Sequence, residues 1–129
     1  MTTELWLLAA SIFLGLAHIV VASHAASWQR GYRWTASARD EVVPPLNGLA
    51  GRLERAMRNY LETFTFFAAA VLLAAATGRH NWMTVAGAHL YFWGRVAYLA
   101  LYALGVPLVR SLMWNVATIG IVLIVVALF

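Results

Sequence analysis

Cysteine is absent from this chain, and so is lysine. Without cysteine there is no disulfide, no thiolate metal site and no cysteine nucleophile, so any thiol chemistry has to arrive with a bound substrate. Acidic residues number five, and charged residues make up 11% of the 129, where a soluble domain carries about 25%. Proline is confined to three positions, Pro44, Pro45 and Pro107. What fills the space is apolar: 63% of the residues are hydrophobic, gathered into four long runs that leave no length for a separate soluble domain. A nucleic-acid-binding role is excluded, because the basic residues have no soluble scaffold on which to form a groove-sized patch.

A helix that spans a bilayer needs roughly 20 mainly apolar residues. The four runs predict helices over about 5–26, 50–77, 82–104 and 109–129. Between the first two lies a polar connection carrying Arg30, Arg33, Arg39, Asp40 and Glu41, where Pro44-Pro45 blocks helix propagation. Gly78 and Gly105 stop the second and third helices. Short connections make sequential helices antiparallel neighbours. The expectation is an all-α membrane protein, a single domain built as an up-down four-transmembrane-helix bundle. Glu4 is the only charge ahead of the first run, unlike the positive start of a secretory signal, so that run reads as a retained helix.

All nine basic residues are arginines, and their placement is lopsided. Arg30, Arg33, Arg39, Arg52, Arg55, Arg58 and Arg110 fall at one end of the predicted bundle, Arg79 alone at the other. By the positive-inside rule the arginine-rich connections are cytoplasmic, in what reads as a bacterial inner membrane. Trp6, Trp28, Trp82 and Trp114 lie near helix ends, where indoles anchor at the headgroup level.

Arg52, Arg55, Asn59 and Glu62 recur at i, i+3, i+7 and i+10, one stripe of the second helix. Arg58 borders it, four residues before Glu62 and in reach of it. A solvated helix base with ion pairs one turn apart accounts for Arg52 and Glu54. It does not account for Asn59 and Glu62, two to three turns into a span, where polar groups face a bundle interior or wet cavity. The third helix carries Tyr91, Arg95, Tyr98 and Tyr102 on one face. Arg95 is far from both helix ends and wants a carboxylate. Glu62 lies 16 residues before Gly78 and Arg95 lies 13 after Trp82. At about 1.5 Å per residue their depths differ by about 5 Å, which predicts a Glu62–Arg95 pair. Arg110-Ser111, after Pro107, comes to the same level as Arg55, Tyr98 and Tyr102. Convergent arginines with amide, carboxylate and phenol groups suit a small polyanion that also carries amides.

The run Arg55-Ala-Met-Arg58-Asn59-Tyr-Leu-Glu62 resembles the helix 2 signature of the MAPEG family, the membrane-associated proteins in eicosanoid and glutathione metabolism. Gly94-Arg95-Val-Ala-Tyr98-Leu-Ala-Leu-Tyr102 and Arg110-Ser111 resemble its helix 3 and helix 4 motifs, in order, and Arg39-Asp40-Glu41 is similar to prokaryotic members. Thr65 departs from the pattern, standing where many members have proline. The resemblance implies a homotrimer in the lipid bilayer that binds glutathione between subunits and acts on a lipophilic small-molecule substrate. It implies glutathione contacts at Arg55, Arg58, Asn59, Glu62, Tyr98 and Tyr102, with Arg95 beside them and a looser match at Arg30 or Arg33. Arg110, assisted by Ser111, matches the arginine credited with stabilising the glutathione thiolate. No metal is implied, and His18, His24 and His89 have no ligand-like spacing. The activity implied is a glutathione transferase, with peroxidase activity as a companion. The alternatives are a non-catalytic glutathione- or lipid-binding protein of the same fold and, last, a small exporter of organic cations.

Overall fold

The computed structural model describes residues 1–129 as five helices and no strands: α1 (Thr3–Arg30), α2 (Tyr32–Thr35), α3 (Gly48–Ala76), α4 (Trp82–Leu104) and α5 (Pro107–Val126). The four long helices are those the apolar runs predict. α1 runs one turn beyond the expected end, because the polar residues from Ser27 to Arg30 do not break a helix. Gly31, at a φ of +92°, does. That extra turn is held by a Ser27–Thr35 hydroxyl contact of 2.9 Å to the single turn of α2, which hydropathy gave no sign of. α5 starts two residues earlier than expected, with Pro107 in its first turn, where a missing N–H costs nothing.

Contacts fix the direction of each helix. Glu4 at the start of α1 meets His80 beyond the end of α3, and Tyr60 of α3 donates to the Ser11 carbonyl of α1 at 2.5 Å. The Arg55–Tyr102 and Arg95–Asn59 bonds run α3 against α4, and Gly87 against Gly120 with Gly94 against Met113 and Ala117 does the same for α4 and α5. Successive long helices are therefore antiparallel. α3 and α4 each touch all three other long helices, whereas α1 and α5 never meet. The core lies where Leu7 and Leu8, Phe67 and Val71, Tyr91 and Ile124 converge, with the Phe67 and Tyr91 rings stacked at 3.9 Å.

The α4–α5 seam is unusually close. A Cβ on Gly120 would lie 2.5 Å from the Gly87 carbonyl oxygen and 2.8 Å from the Tyr91 nitrogen. A Cβ on Gly94 would press on Ala117 and the Met113 carbonyl. Small residues that let two backbones approach are the usual means of packing helices where lipid removes the hydrophobic drive.

At the far end from the arginines, Asn81 caps α4, accepting from the Met83 and Thr84 amides, while the Thr84 hydroxyl accepts from the Asn81 amide. The Thr84 hydroxyl also donates to the Glu4 carboxylate, 3% exposed, and His80 Nδ1 lies 2.8 and 2.9 Å from its two oxygens. One buried carboxylate thus ties the start of α1 to the α3–α4 turn and to α4.

By length and composition, α1, α3 and α5 can each cross a membrane. α4 has 23 residues, but His89, Arg95 and its tyrosines make it more polar. Arg95, Tyr91 and Tyr98 are inside the bundle, whereas His89 is exposed.

Candidate functional site

Three helices bring polar residues together at the arginine-rich end. Arg95 is fully buried, an expensive place for a charge away from water. Its Nη1 donates to Asn59 Oδ1 at 2.9 Å, and its guanidinium lies 4.3 Å from the Tyr98 ring centre and 5.4 Å from that of Tyr60. Aromatic faces carry partial negative charge and offset part of the cost of dehydration. Nε and Nη2 of Arg95 have no partner at all.

Glu62 is not that partner. The expected Glu62–Arg95 pair is not formed, and Glu62 is exposed. Depth was matched but azimuth was not: at about 100° per residue, three residues carry Glu62 about 60° around α3 from Asn59. Asn59 takes the inward direction and Glu62 turns outward. Arg58 likewise turns away, pairing at 3.7 Å with Glu54 one turn earlier rather than with Glu62.

One turn nearer the end of the bundle, Tyr102 is the centre of a second group. Its hydroxyl accepts from Arg55 Nε at 3.0 Å, and its ring lies 5.9 Å from the Arg55 guanidinium and 4.5 Å from that of Arg110. Tyr98 meets Tyr102 edge to face at 5.5 Å. Arg52 Nε donates to the Ala103 carbonyl at 3.2 Å, fixing the end of α4 against the base of α3. Neither Arg55 nor Arg110 has a carboxylate within 4 Å. Two cations held on one phenol ring without a counterion form a place where an anion is stabilised.

A cavity of about 250 Å³ opens beside this group, lined by Asn59, Tyr98, Arg110, Ser111, Trp114 and Asn115. The Trp114 indole N–H is buried and unpartnered. Ser111 donates to the Pro107 carbonyl at 3.3 Å, which leaves its oxygen free to accept. Of the ten residues expected at the site, Arg55, Asn59, Arg95, Tyr98, Tyr102, Arg110 and Ser111 are together; Arg58 and Glu62 face outward from α3. Arg30 stands apart, on the α1 side of α3, where it lies over Trp34 and donates to the Pro44 carbonyl. The loose match to Arg30 thus does not place it with the cluster in one chain. Sequence reasoning missed Trp114 and Asn115 as lining residues. Their spacing of four from Arg110 and Ser111 was the available signal, masked because Trp114 also reads as an interfacial anchor.

An all-helical chain with three helices long and apolar enough for a bilayer, holding a buried arginine and an uncompensated cationic cluster, reads as an integral membrane protein. The model of the MAPEG family matches residues 7–129, nearly the whole chain, and the chain belongs to that family. No curated protein and no solved structure matches it. Family membership fits a membrane function connected with glutathione in general terms.

Proposed function

We propose that this protein is a membrane-bound glutathione transferase, with α4 as a fourth span and the arginine-rich end in the cytoplasm. The observation that carries the reading is the pair of uncompensated guanidinium groups of Arg55 and Arg110 on the Tyr102 ring, beside the cavity that Asn59 and Ser111 line. Glutathione brings two carboxylates, amides and a thiol. The residues present fit those groups: arginine forks for carboxylates, Asn59 and Asn115 for amides, and a cation with a hydroxyl for sulfur.

In this reading Arg55 binds a carboxylate and Arg110 faces the sulfur. A free thiol ionises near pH 8.5, and a neighbouring cation lowers that by one unit or more. The thiol proton passes to water at the cytoplasmic face, and Ser111 offers a hydrogen bond to the resulting thiolate. The sulfur lone pair then forms an S–C bond with a lipophilic electrophile from the bilayer as the electrophile's leaving bond breaks. The chain lacks cysteine, so the nucleophile is the substrate's own.

The division of labour gives opposite signatures. Arg110→Ala is expected to keep glutathione affinity within a few-fold but to lose the thiolate absorbance at neutral pH, with turnover down about tenfold or more. Arg55→Ala is expected to weaken binding first, by roughly ten- to a hundredfold, the worth of a charged hydrogen bond. Equal loss of binding in both variants, with thiolate formation intact in Arg110→Ala, sinks the assignment. A wild type that binds glutathione without ever ionising it makes this a binding protein instead.

The outward-facing Arg58 and Glu62 support assembly, since charges within a span are costly against lipid. In the homotrimer we propose, α3 lines the contacts between copies and these two side chains complete a site shared by neighbours. Native mass spectrometry in mild detergent should show trimers; monomers and dimers alone would overturn the assembly.

A further inference from the structure

A second cationic pocket lies on the other side of α3, in the connection between α1 and α3. It is about 490 Å³ in volume and is lined by Arg30, Arg33 and Arg39 together with Trp34, Asp40 and Glu41. Two guanidinium groups share one indole: Arg30 lies 5.1 Å and Arg39 5.7 Å from the Trp34 ring centre. Neither has a carboxylate oxygen within 4 Å, although Asp40 and Glu41 line the same pocket. Arg30 Nε is buried without a partner.

The arrangement is held in place. Arg39 has a φ of +62°, a conformation that a non-glycine side chain adopts only under constraint. Its Nε donates to the Thr35 carbonyl at 3.1 Å and its amide to the Ser37 hydroxyl, which in turn donates to the Trp34 carbonyl at 2.6 Å. The Trp34 indole N–H donates to the Glu41 carbonyl at 3.4 Å, which brings the acidic residues to the rim. Two arginines fixed on one ring, with two unpaired acids lining the same pocket, form a site that carries both signs of charge.

Depth limits what can occupy it. Trp28, 82% exposed near the end of α1, and Tyr32, exposed at the start of α2, flank the pocket as aromatic side chains do where they meet lipid headgroups. Basic clusters at that level recognise lipid phosphates. The acids discriminate further. A primary ammonium donates hydrogen bonds to carboxylates, whereas a quaternary ammonium needs an aromatic face, and the Trp34 ring is already taken by arginines. We propose that this pocket seats the headgroup of an amine-bearing phospholipid, its phosphate on Arg30 and Arg39 and its ammonium on Asp40 and Glu41.

The test uses the full-length protein in nanodiscs of equimolar phosphatidylethanolamine, phosphatidylglycerol and phosphatidylcholine with identical acyl chains, then native mass spectrometry of the retained lipids. Wild type should retain phosphatidylethanolamine over the other two by about tenfold. Arg30→Gln/Arg39→Gln should lose that retention, and Arg39→Gln alone should weaken it with an unchanged thermal melt, separating loss of the site from loss of the fold. Asp40→Asn/Glu41→Gln should keep phospholipid but shift preference to phosphatidylglycerol. Millimolar inorganic phosphate should not displace the lipid; if it does, the pocket is for a free anion and the proposal fails. It fails also if all three lipids are retained alike, or if Arg39→Gln leaves lipid retention intact and weakens glutathione binding instead.

Discussion

Asn59→Leu is expected to destabilise the protein by about 1.5–3 kcal/mol, the worth of a hydrogen bond to a buried charge, lowering the melting temperature in detergent by roughly 5–15 °C. Asn59 Oδ1 is the one hydrogen-bond acceptor that the Arg95 side chain has, and Arg95 is fully buried. Leucine removes the acceptor while the guanidinium stays dry, leaning only on the faces of Tyr60 and Tyr98. The penalty belongs to the stranded charge, so removing that charge should relieve it. Arg95→Met/Asn59→Leu should regain most of the lost stability, because an apolar pair of similar volume replaces a costly one. The readout is a double-mutant cycle by thermal melting. Simple additivity of the two changes would mean that Arg95 draws its support from elsewhere.

Gly120→Ala should cost about 3 kcal/mol or more, at or above the upper end for an overpacked core. The added methyl meets backbone on the facing helix, the Gly87 carbonyl and the Tyr91 amide, and backbone cannot rotate away as a side chain can. α5 must then move off α4. Because Arg110 is carried by α5 and Tyr102 by α4, their 4.5 Å stacking should loosen as well. On the proposed function, the variant is therefore expected to lose glutathione-dependent turnover at temperatures where circular dichroism still shows full helix. Unchanged activity together with an unchanged melt would show that the seam has slack that the distances do not reveal.

The four long helices were legible because length and hydropathy are properties of a run. Their ends were legible where glycine or proline punctuates them, as at Gly78 and Gly105. They were not where the residues are merely polar, as from Ser27 to Arg30. The convergence of Arg55, Asn59, Tyr98, Tyr102 and Arg110 followed from spacing and depth, which a sequence carries. The Arg95 partner did not, since rotating about 60° around a helix changes a neighbour without changing depth. Glu4, His80 and Thr84 gave no signal whatever, being separated by up to 80 positions in the chain. Such a contact exists only once the helices are packed.

That three-way contact gives the two ends of the bundle different fastenings. Glu4 binds the α1 start, the α3–α4 turn and the α4 cap into one knot. At the opposite end the last buried residue of α4 is Tyr98, and α5 buries nothing before Ala117. There α4 and α5 are held by the two-residue turn Gly105-Val106 and by two polar clasps to α3, Arg52 on the Ala103 carbonyl and Arg55 on the Tyr102 hydroxyl. One end of α4 is thus secured by a buried carboxylate and the other by guanidinium groups, and hydrogen bonds near solvent exchange more readily than a packed core separates.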